Sequence, residues 1–311
     1  MKQRVLILKS GYSEVLFNKD SDKPSFGDIL RITPILHLFK DDDVTWVTDK
    51  TAFPLLEGNP YINRLLPFDF TTINLLDEHF DVVINLEKNH SICKLSNKIS
   101  AWRKYGFRFD ELRNKPEAYD NAFEILSYGS DVNIKKQSKK TSQELIFSLM
   151  DKKWNGEEYI LGYKPKTKEI YDIGFNTEVG GKFPFKKWPT ENWDALEQML
   201  KGFKISRQDR QPTEVLNNLY RYMDWINSCK MIVTNDSLGL HLAIALKKKV
   251  IGLFGPTKPE EVYFYKRGIA LSPPKMECMP CLRENGDCIA KKGCMNKISP
   301  KRVYEEVKQW I

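Results

Sequence analysis

Three short segments of this 311-residue chain and one cluster of cysteines carry residue types whose spacing could do chemistry. Asp236, Ser237, Leu238, Gly239 and His241 stand where a β-branched apolar run, Met231 to Asn235, gives way to helix-period sequence. In a parallel strand-helix unit that turn opens at the C-terminal edge of the sheet, where the first helical N–H groups point outward and favour an anion. Ser237 would equally serve as a plain N-cap, and His241 as a packed helix residue. A Gly-Asp pair at Gly27-Asp28 enters a second helical segment, where Asp28 is either a cap or an acid-base group. Lys186 and Lys187 precede Trp188-Pro189 at an exposed basic turn. Cys278-x2-Cys281-x6-Cys288-x5-Cys294 places four thiols within 17 residues. In a reducing compartment such a set suits zinc or iron, with free thiols and disulfides as the other readings. Four thiolates used as ligands leave no open position, so a metal there is expected to be structural.

Strand-like and helix-like segments alternate along the chain and must position these groups. Arg4 to Lys9 reads as a first buried strand, followed by a loop from Ser10 to Phe26 and a helical segment from Gly27 to Leu36. Further strands are expected at 44–48, 62–66 and 80–86, with a helix over 53–61 ended by Gly58-Asn59-Pro60. Residues 116–155 have helix-like spacing, and 156–168 read as a polar linker. Ile170 to Asn176 opens a second domain. Thr190 is expected to cap a helix reaching Leu200, and Lys204 to Ser206 reads as a short strand. Leu216 to Ser228 reads as an amphipathic helix, Met231 to Thr257 as a strand-helix-strand unit closed by Gly255-Pro256, and Pro300 to Ile311 as a final helix. Cys93 and Cys229 lie in apolar surroundings and are expected to be buried.

The length suits two domains, and 41% hydrophobic with 29% charged residues suits a globular enzyme rather than a disordered or membrane chain. The net charge of +8 is dispersed, without a basic helix or nucleic-acid motif, so an anionic small, lipid-linked or protein acceptor is expected and nucleic acid is not. No apolar run approaches a membrane span, and the N-terminus lacks a signal-peptide pattern. A cytoplasmic location is expected, and the charge is compatible with peripheral contact at an inner membrane face.

Asn-Asp-Ser with a His four residues after the Ser, Leu-Ala, and Phe-Gly-Pro-Thr together resemble the nucleotide-sugar site of glycosyltransferase family 9, the ADP-heptose:lipopolysaccharide heptosyltransferases. Leu238 stands where the family usually has Gly, and Gly239 follows it. Gly-Asp-x-Leu-x-x-Thr-Pro-x-Leu at 27–36 and Lys-x-Trp-Pro at 186–189 resemble two further motifs of that family. The resemblance implies an α/β chain of GT-B architecture, two Rossmann-like domains facing across a cleft. Residues 1–160 would bind the acceptor, and 161–311 the sugar nucleotide. It implies inverting transfer of heptose from an ADP-linked donor, with Asp28 as the base and Lys186 stabilising the departing diphosphate. Lys187, Asp236, Ser237, Leu238, Gly239 and His241 would line the donor site. No catalytic metal is expected if lysine and helix N–H groups supply the positive field.

Residues at strand ends, Glu87, Lys88, Arg103, Lys104 and Arg108, are candidates to grip an anionic acceptor, with solvated surface residues as the competing reading. The loop at 10–26 is longer than the family's and reads as a lid, an acceptor loop or a disordered insertion. Cysteines near the C-terminus occur in many members, and the related autotransporter heptosyltransferases carry Cys-bound iron, which implies structural iron or zinc on Cys278, Cys281, Cys288 and Cys294. The rival readings are a GT-B transferase for another nucleotide sugar and a non-catalytic nucleotide-sugar-binding scaffold.

Overall fold

A computed structural model describes residues 2–17, 21–119, 122–274, 276–281, 288 and 293–311. It divides into two units, Met1–Tyr163 and Lys164–Ile311, each built on a mainly parallel sheet.

In the first unit the strands are β1 (Arg4–Leu8), β2 (Asp43–Thr48), β3 (Arg64–Pro67), β4 (His79–Asn85), β5 (Ser100–Asp110) and β6 (Lys115–Ala118). Their order in the sheet is β3-β2-β1-β4-β5-β6, parallel except for the antiparallel β5–β6 hairpin. The helices are α1 (Phe26–Ile32), α2 (Phe53–Leu56), α3 (His90–Lys98), α4 (Phe123–Ser130), α5 (Val132–Gln137) and α6 (Ser142–Ser148). Val5 to Leu8 are sealed from solvent because a central parallel strand is covered on both faces, which is why β1 reads as a continuous apolar run. Leu6, Leu8, Val47, Phe80, Val83, Ile92 and Ile99 form one side of that core.

The hairpin departs from the expected pattern. The tract expected to be helical begins with β6, and β5 carries Arg103, Lys104 and Arg108 among its apolar residues. Charge at a sheet margin masks the strand signal that a buried strand displays. Gly106 adopts φ +90°, and a Cβ there would stand 1.9 Å from the Asn85 carbonyl oxygen, so only glycine lets β5 pass the end of β4.

The second unit holds β7 (Tyr171–Asn176), β8 (Ile205–Arg207), β9 (Cys229–Asn235), β10 (Lys249–Leu253) and β11 (Gly268–Leu271), all parallel, in the order β11-β10-β9-β7-β8. Its helices are α7 (Thr190–Met199), α8 (Thr213–Leu216), α9 (Leu219–Asn227), α10 (Leu238–Ala245) and α11 (Pro300–Trp310). Phe175, Trp188, Trp193, Val233, Ile251, Leu253, Val303 and Val307 share one core, and α11 packs on α7. Thr190 is the first residue of α7 rather than its cap; Pro189, extended at φ −57° and ψ 143°, holds the cap position. The expected helix over 216–228 is two pieces, α8 and α9. Cys93 and Cys229 are buried, and burial pushes the Cys229 thiol up to about 12. Among the described residues no helix is long and apolar enough to cross a membrane.

Candidate functional site

In the second unit β7 sends one crossover toward β8 and the other side of it pairs with β9, so the strand order reverses between β7 and β9. Such a switch point leaves a crevice beyond the C-terminal strand ends, where open α/β sheets bind ligands. Asn176 ends β7, Asn235 ends β9, and α10 starts immediately after Asp236 and Ser237. Each terminal asparagine is spent on shaping this edge. Asn235 Oδ1 accepts the Trp188 N–H at 3.0 Å, and its Nδ2 donates to the Thr177 carbonyl at 2.8 Å. That pins the Lys-Lys-Trp-Pro turn against the strand ends, and Trp188 Nε1 adds a bond to the Ile298 carbonyl at 2.9 Å.

This anchoring brings Lys186 to Asp236, Nζ to Oδ2 at 2.8 Å. Thr257 Oγ1 donates to the same oxygen at 2.6 Å. Burial opposes the charge on Asp236, yet Lys186, Thr257 and the nearby His241 together hold its carboxyl down at about 2. The Lys186 ammonium also lies 4.8 Å from the Phe183 ring centroid. The arrangement is a fixed cation beside the first turn of an eight-residue helix, both suited to negative charge.

Ser237 holds the N-cap position of α10, but its side chain makes no capping bond; Asn176 Nδ2 donates to its Oγ at 2.9 Å instead. Leu238 opens the helix, and Gly239 packs on the Asn176 amide, where an added Cβ would be 2.5 Å from Cγ. His241 is buried on the same helix. Lys187 points elsewhere, into an exposed ion pair with Glu178 at 2.7 Å. Asn176, Thr177 and Tyr222 belong to this edge and were not singled out from sequence, and Asn235 stood there only as the first residue of the Asn-Asp-Ser motif. A polar pair ending an apolar strand, Asn176-Thr177 after Ile173 to Phe175, is the pattern that marks two of them.

In the first unit Asp28 is neither the helix cap the sequence allows nor open to solvent. It lies inside α1, two residues past its start at Phe26, while Ser25 is the cap residue, and its side chain is 1% exposed. Lys9, one residue beyond β1, places Nζ 2.6 Å from Asp28 Oδ2 and 3.0 Å from Glu87 Oε1. Arg31 Nε donates to Asp28 Oδ1 at 2.8 Å, and its Nη2 engages the same oxygen. Burial alone would raise the Asp28 carboxyl, but the Lys9 and Arg31 cations hold it well below the usual carboxylate range.

These charges grip residues 11–15 from below. Glu87 accepts from Gly11 N–H at 2.6 Å, Ser13 N–H at 2.8 Å and Ser13 Oγ at 2.7 Å. Val15 N–H donates to Asp28 Oδ2 at 3.1 Å. The Lys88 ammonium donates to the Val15 carbonyl at 2.9 Å, and Lys135 reaches the Leu16 carbonyl at 3.2 Å. The start of the long loop is thus an ordered strap over Asp28; its residues 18–20 lie outside the described residues. Glu87 and Lys88, expected to face an acceptor, instead point inward onto that strap, because a buried backbone segment must have its N–H and C=O groups paired. Burial lowers the Lys88 ammonium to about 7.

Arg103 lies mid-strand opposite Val82, away from the C-terminal edge. Lys104 caps α3 by donating to the Ser96 and Asn97 carbonyls at 2.8 Å. Arg108 is exposed and stands 5.9 Å over the Tyr119 ring. The structure therefore does not gather these three with Glu87 and Lys88.

Among the described residues no group of three or more His, Cys, Asp or Glu side chains is arranged to hold a metal ion. Cys278, Cys281, Cys288 and Cys294 are free thiols. Cys294 is buried beside Gly255, and Cys281 N–H donates to the Pro256 carbonyl at 2.6 Å, so this segment lies against the end of the strand-helix-strand unit. Burial pushes the Cys294 thiol up to about 11, with Cys288 and Cys278 adding to the rise.

Residues 208–291 match the profile of glycosyltransferase family 9 (heptosyltransferase). The lipooligosaccharide heptosyltransferase 2 of Campylobacter jejuni is 32% identical over 82 residues, 26% of each chain. The chain spans about a quarter to a third of the length of the first curated relatives it matches, at 26%, 36% and 26%. Over the whole chain the fold is that of the E. coli ADP-heptose lps heptosyltransferase II, at a TM-score of 0.66 and 16% identity, covering 100% of this chain and 98% of the other. TibC, an iron-containing dodecameric glycosyltransferase of enterotoxigenic E. coli, shares the fold at a TM-score of 0.58 and 11% identity, covering 99% and 76%. The two Rossmann-like units thus make a GT-B fold.

Proposed function

We propose that this chain is a member of glycosyltransferase family 9 and transfers a heptose from an ADP-linked donor to an acceptor hydroxyl with inversion at the anomeric carbon. The observation that carries the reading is the Lys186 cation held 2.8 Å from Asp236 beside the N-terminus of α10, at a switch point of the second unit's sheet. That edge suits a diphosphate. As the acceptor oxygen bonds to the anomeric carbon, the bond to the diphosphate oxygen breaks and its electron pair stays on the phosphate. Lys186 and the α10 N–H groups would stabilise that charge. Asp236, itself anionic, orients the lysine and serves sugar hydroxyls rather than phosphate. Gly239 and Leu238 shape the turn, and His241 backs Asp236. Lys187, paired with Glu178, would reach the ligand only by leaving that carboxylate.

Asp28 is the group proposed to take the hydroxyl proton. Both its oxygens are engaged by Lys9, Arg31 and Val15, so the role requires the 11–15 strap to withdraw its Val15 N–H and the Lys9 and Arg31 contacts to loosen. Withdrawal would also free Lys88 and Glu87 for an anionic glycan, lipid-linked or protein acceptor, and Arg108 at the hairpin offers a further cation.

By residue type alone the four cysteines supply a thiolate donor set, and Cys278, Cys281, Cys288 and Cys294 would hold iron or zinc if the segment carries a metal. Such iron or zinc would staple the segment to the Gly255-Pro256 turn and take no part in transfer. Metal analysis of purified protein is expected to give one iron or zinc per chain, lost in Cys278→Ser/Cys281→Ser; a metal-free, fully folded wild type would remove the assignment.

Calorimetry with ADP-heptose, ADP-glucose, UDP-glucose and GDP-mannose tests the main reading. ADP-heptose is expected to bind selectively and to lose affinity in Lys186→Ala. Equal binding of all four sugars, or of none, would defeat it. Turnover of UDP-glucose or GDP-mannose alone would instead point to a GT-B enzyme for another sugar.

A further inference from the structure

The Asn176 side chain is fully buried between three hydroxyls, and backbone groups fix which way its amide points. Thr234 Oγ1 donates its hydrogen to the Asn235 carbonyl at 2.7 Å. A carbonyl can only accept, so that hydrogen is spent, and Thr234 can only accept from Asn176. The atom 2.9 Å from Thr234 is therefore Nδ2. The second hydrogen of the same nitrogen goes to Ser237 Oγ at 2.9 Å. Oδ1 then faces the Tyr222 hydroxyl, which donates to it. At the far end Gln208 Oε1 accepts the Glu178 N–H at 2.8 Å, which turns Gln208 Nε2 toward the Tyr222 oxygen.

Polarity thus runs in one direction, from Gln208 and Tyr222 through Asn176 to Ser237. Ser237 accepts on its inner side, and no acceptor for its own hydrogen lies among the described residues. Thr177 Oγ1, 2% exposed at the same strand end, likewise has no hydrogen-bond partner among the described residues. Phosphate oxygens only accept, so a hydroxyl constrained to donate is matched to them.

We propose that Tyr222 and Asn176 are positioning residues that aim the Ser237 hydroxyl hydrogen at a phosphate of the bound sugar nucleotide. The inference rests on the donor site proposed above. It assigns Asn176 a role that acts through Ser237 and not through contact with ligand. It also accounts for Gly239, since any side chain there would displace the Asn176 amide.

A double-mutant cycle on ADP affinity tests it. Asn176→Asp keeps the shape but presents two acceptors, so its carboxylate would draw the Ser237 hydrogen inward. One hydrogen bond to a charged group corresponds to about 1.5–3 kcal/mol, so ADP affinity is expected to fall about ten- to a hundredfold. Ser237→Ala should fall by a similar factor, and Asn176→Asp should cost less in the Ser237→Ala background than in the wild type, where it also withdraws the hydroxyl hydrogen. Adenosine, which lacks phosphate, should bind all variants alike. Tyr222→Phe, which introduces no charge and removes the donor that holds Asn176 Oδ1, should show the same loss of additivity if Asn176→Asp fails to fold. Fully additive losses, or equal losses for adenosine and ADP, would overturn the relay. Wild type that binds UDP or GDP in place of ADP would remove the ADP-sugar reading while leaving the relay testable in the same cycle.

Discussion

The Lys9 ammonium lies 2.6 Å from the Asp28 carboxylate with both side chains sealed from solvent. The carboxylate expected to act as a base is therefore the centre of a buried ion cluster that also holds the 11–15 strap. Removing one partner of such a pair leaves an uncompensated buried charge, so Lys9→Met is expected to destabilise the first unit by about 3–5 kcal/mol. Urea denaturation checks this, and a loss under about 1 kcal/mol would mean the cluster is solvated in solution.

Transfer activity gives Asp28 a separate readout. A general base contributes about a hundred- to ten-thousandfold, so Asp28→Asn is expected to lower the single-turnover rate by that range while ADP affinity stays unchanged. Retained turnover in a folded Asp28→Asn protein would assign Asp28 to holding the strap alone.

Acid titration reports on the second unit. The Asp236 carboxyl sits at about 2 against an ordinary 3.8, so its contribution to stability is complete above about pH 4 and is lost as pH falls toward 2. In Lys186→Met burial is no longer opposed by the lysine, so the carboxyl moves up toward or past its ordinary value and the acid loss should shrink or reverse. Denaturation midpoints measured down the acid limb decide the matter; identical limbs for the two proteins would mean that the ion pair is absent in solution.

Lys88 carries the opposite signature. Its folded value is lowered to about 7 from 10.5 by burial, so across that window the unfolded chain holds a proton that the folded chain does not. Stability should therefore rise with pH from about 7 upward, and Lys88→Met should flatten the rise. A slope that persists in the variant would place its origin elsewhere.

Gly239→Ala separates helix propensity from packing. Alanine favours a helix interior by about 1 kcal/mol over glycine. Here its Cβ would stand 2.5 Å from Asn176 Cγ, so a net destabilisation of about 1–3 kcal/mol is expected, with weaker ADP binding. A stabilised variant with unchanged ADP affinity would show that the amide yields freely.

Much of the fold was legible because the buried strands announce themselves: Arg4 to Leu8 and Met231 to Asn235 are apolar runs between turn residues, and the Asp236–His241 segment sits where a strand becomes a helix. The charged hairpin β5–β6 was not, because its pairing depends on a partner strand rather than on local pattern. Sequence alone determined the residue types at the candidate donor edge, including Lys186, Asp236 and Ser237. Only the tertiary structure decided that Lys186 pairs with Asp236 and Lys187 with Glu178, since neighbouring side chains cannot be told apart until the turn is anchored by Asn235 and Trp188. It likewise decided that Asp28, Glu87 and Lys88 turn inward. Whether a charge at a strand end meets solvent or a buried backbone depends on where a loop distant in sequence comes to rest, and here the 11–15 strap lies over all three.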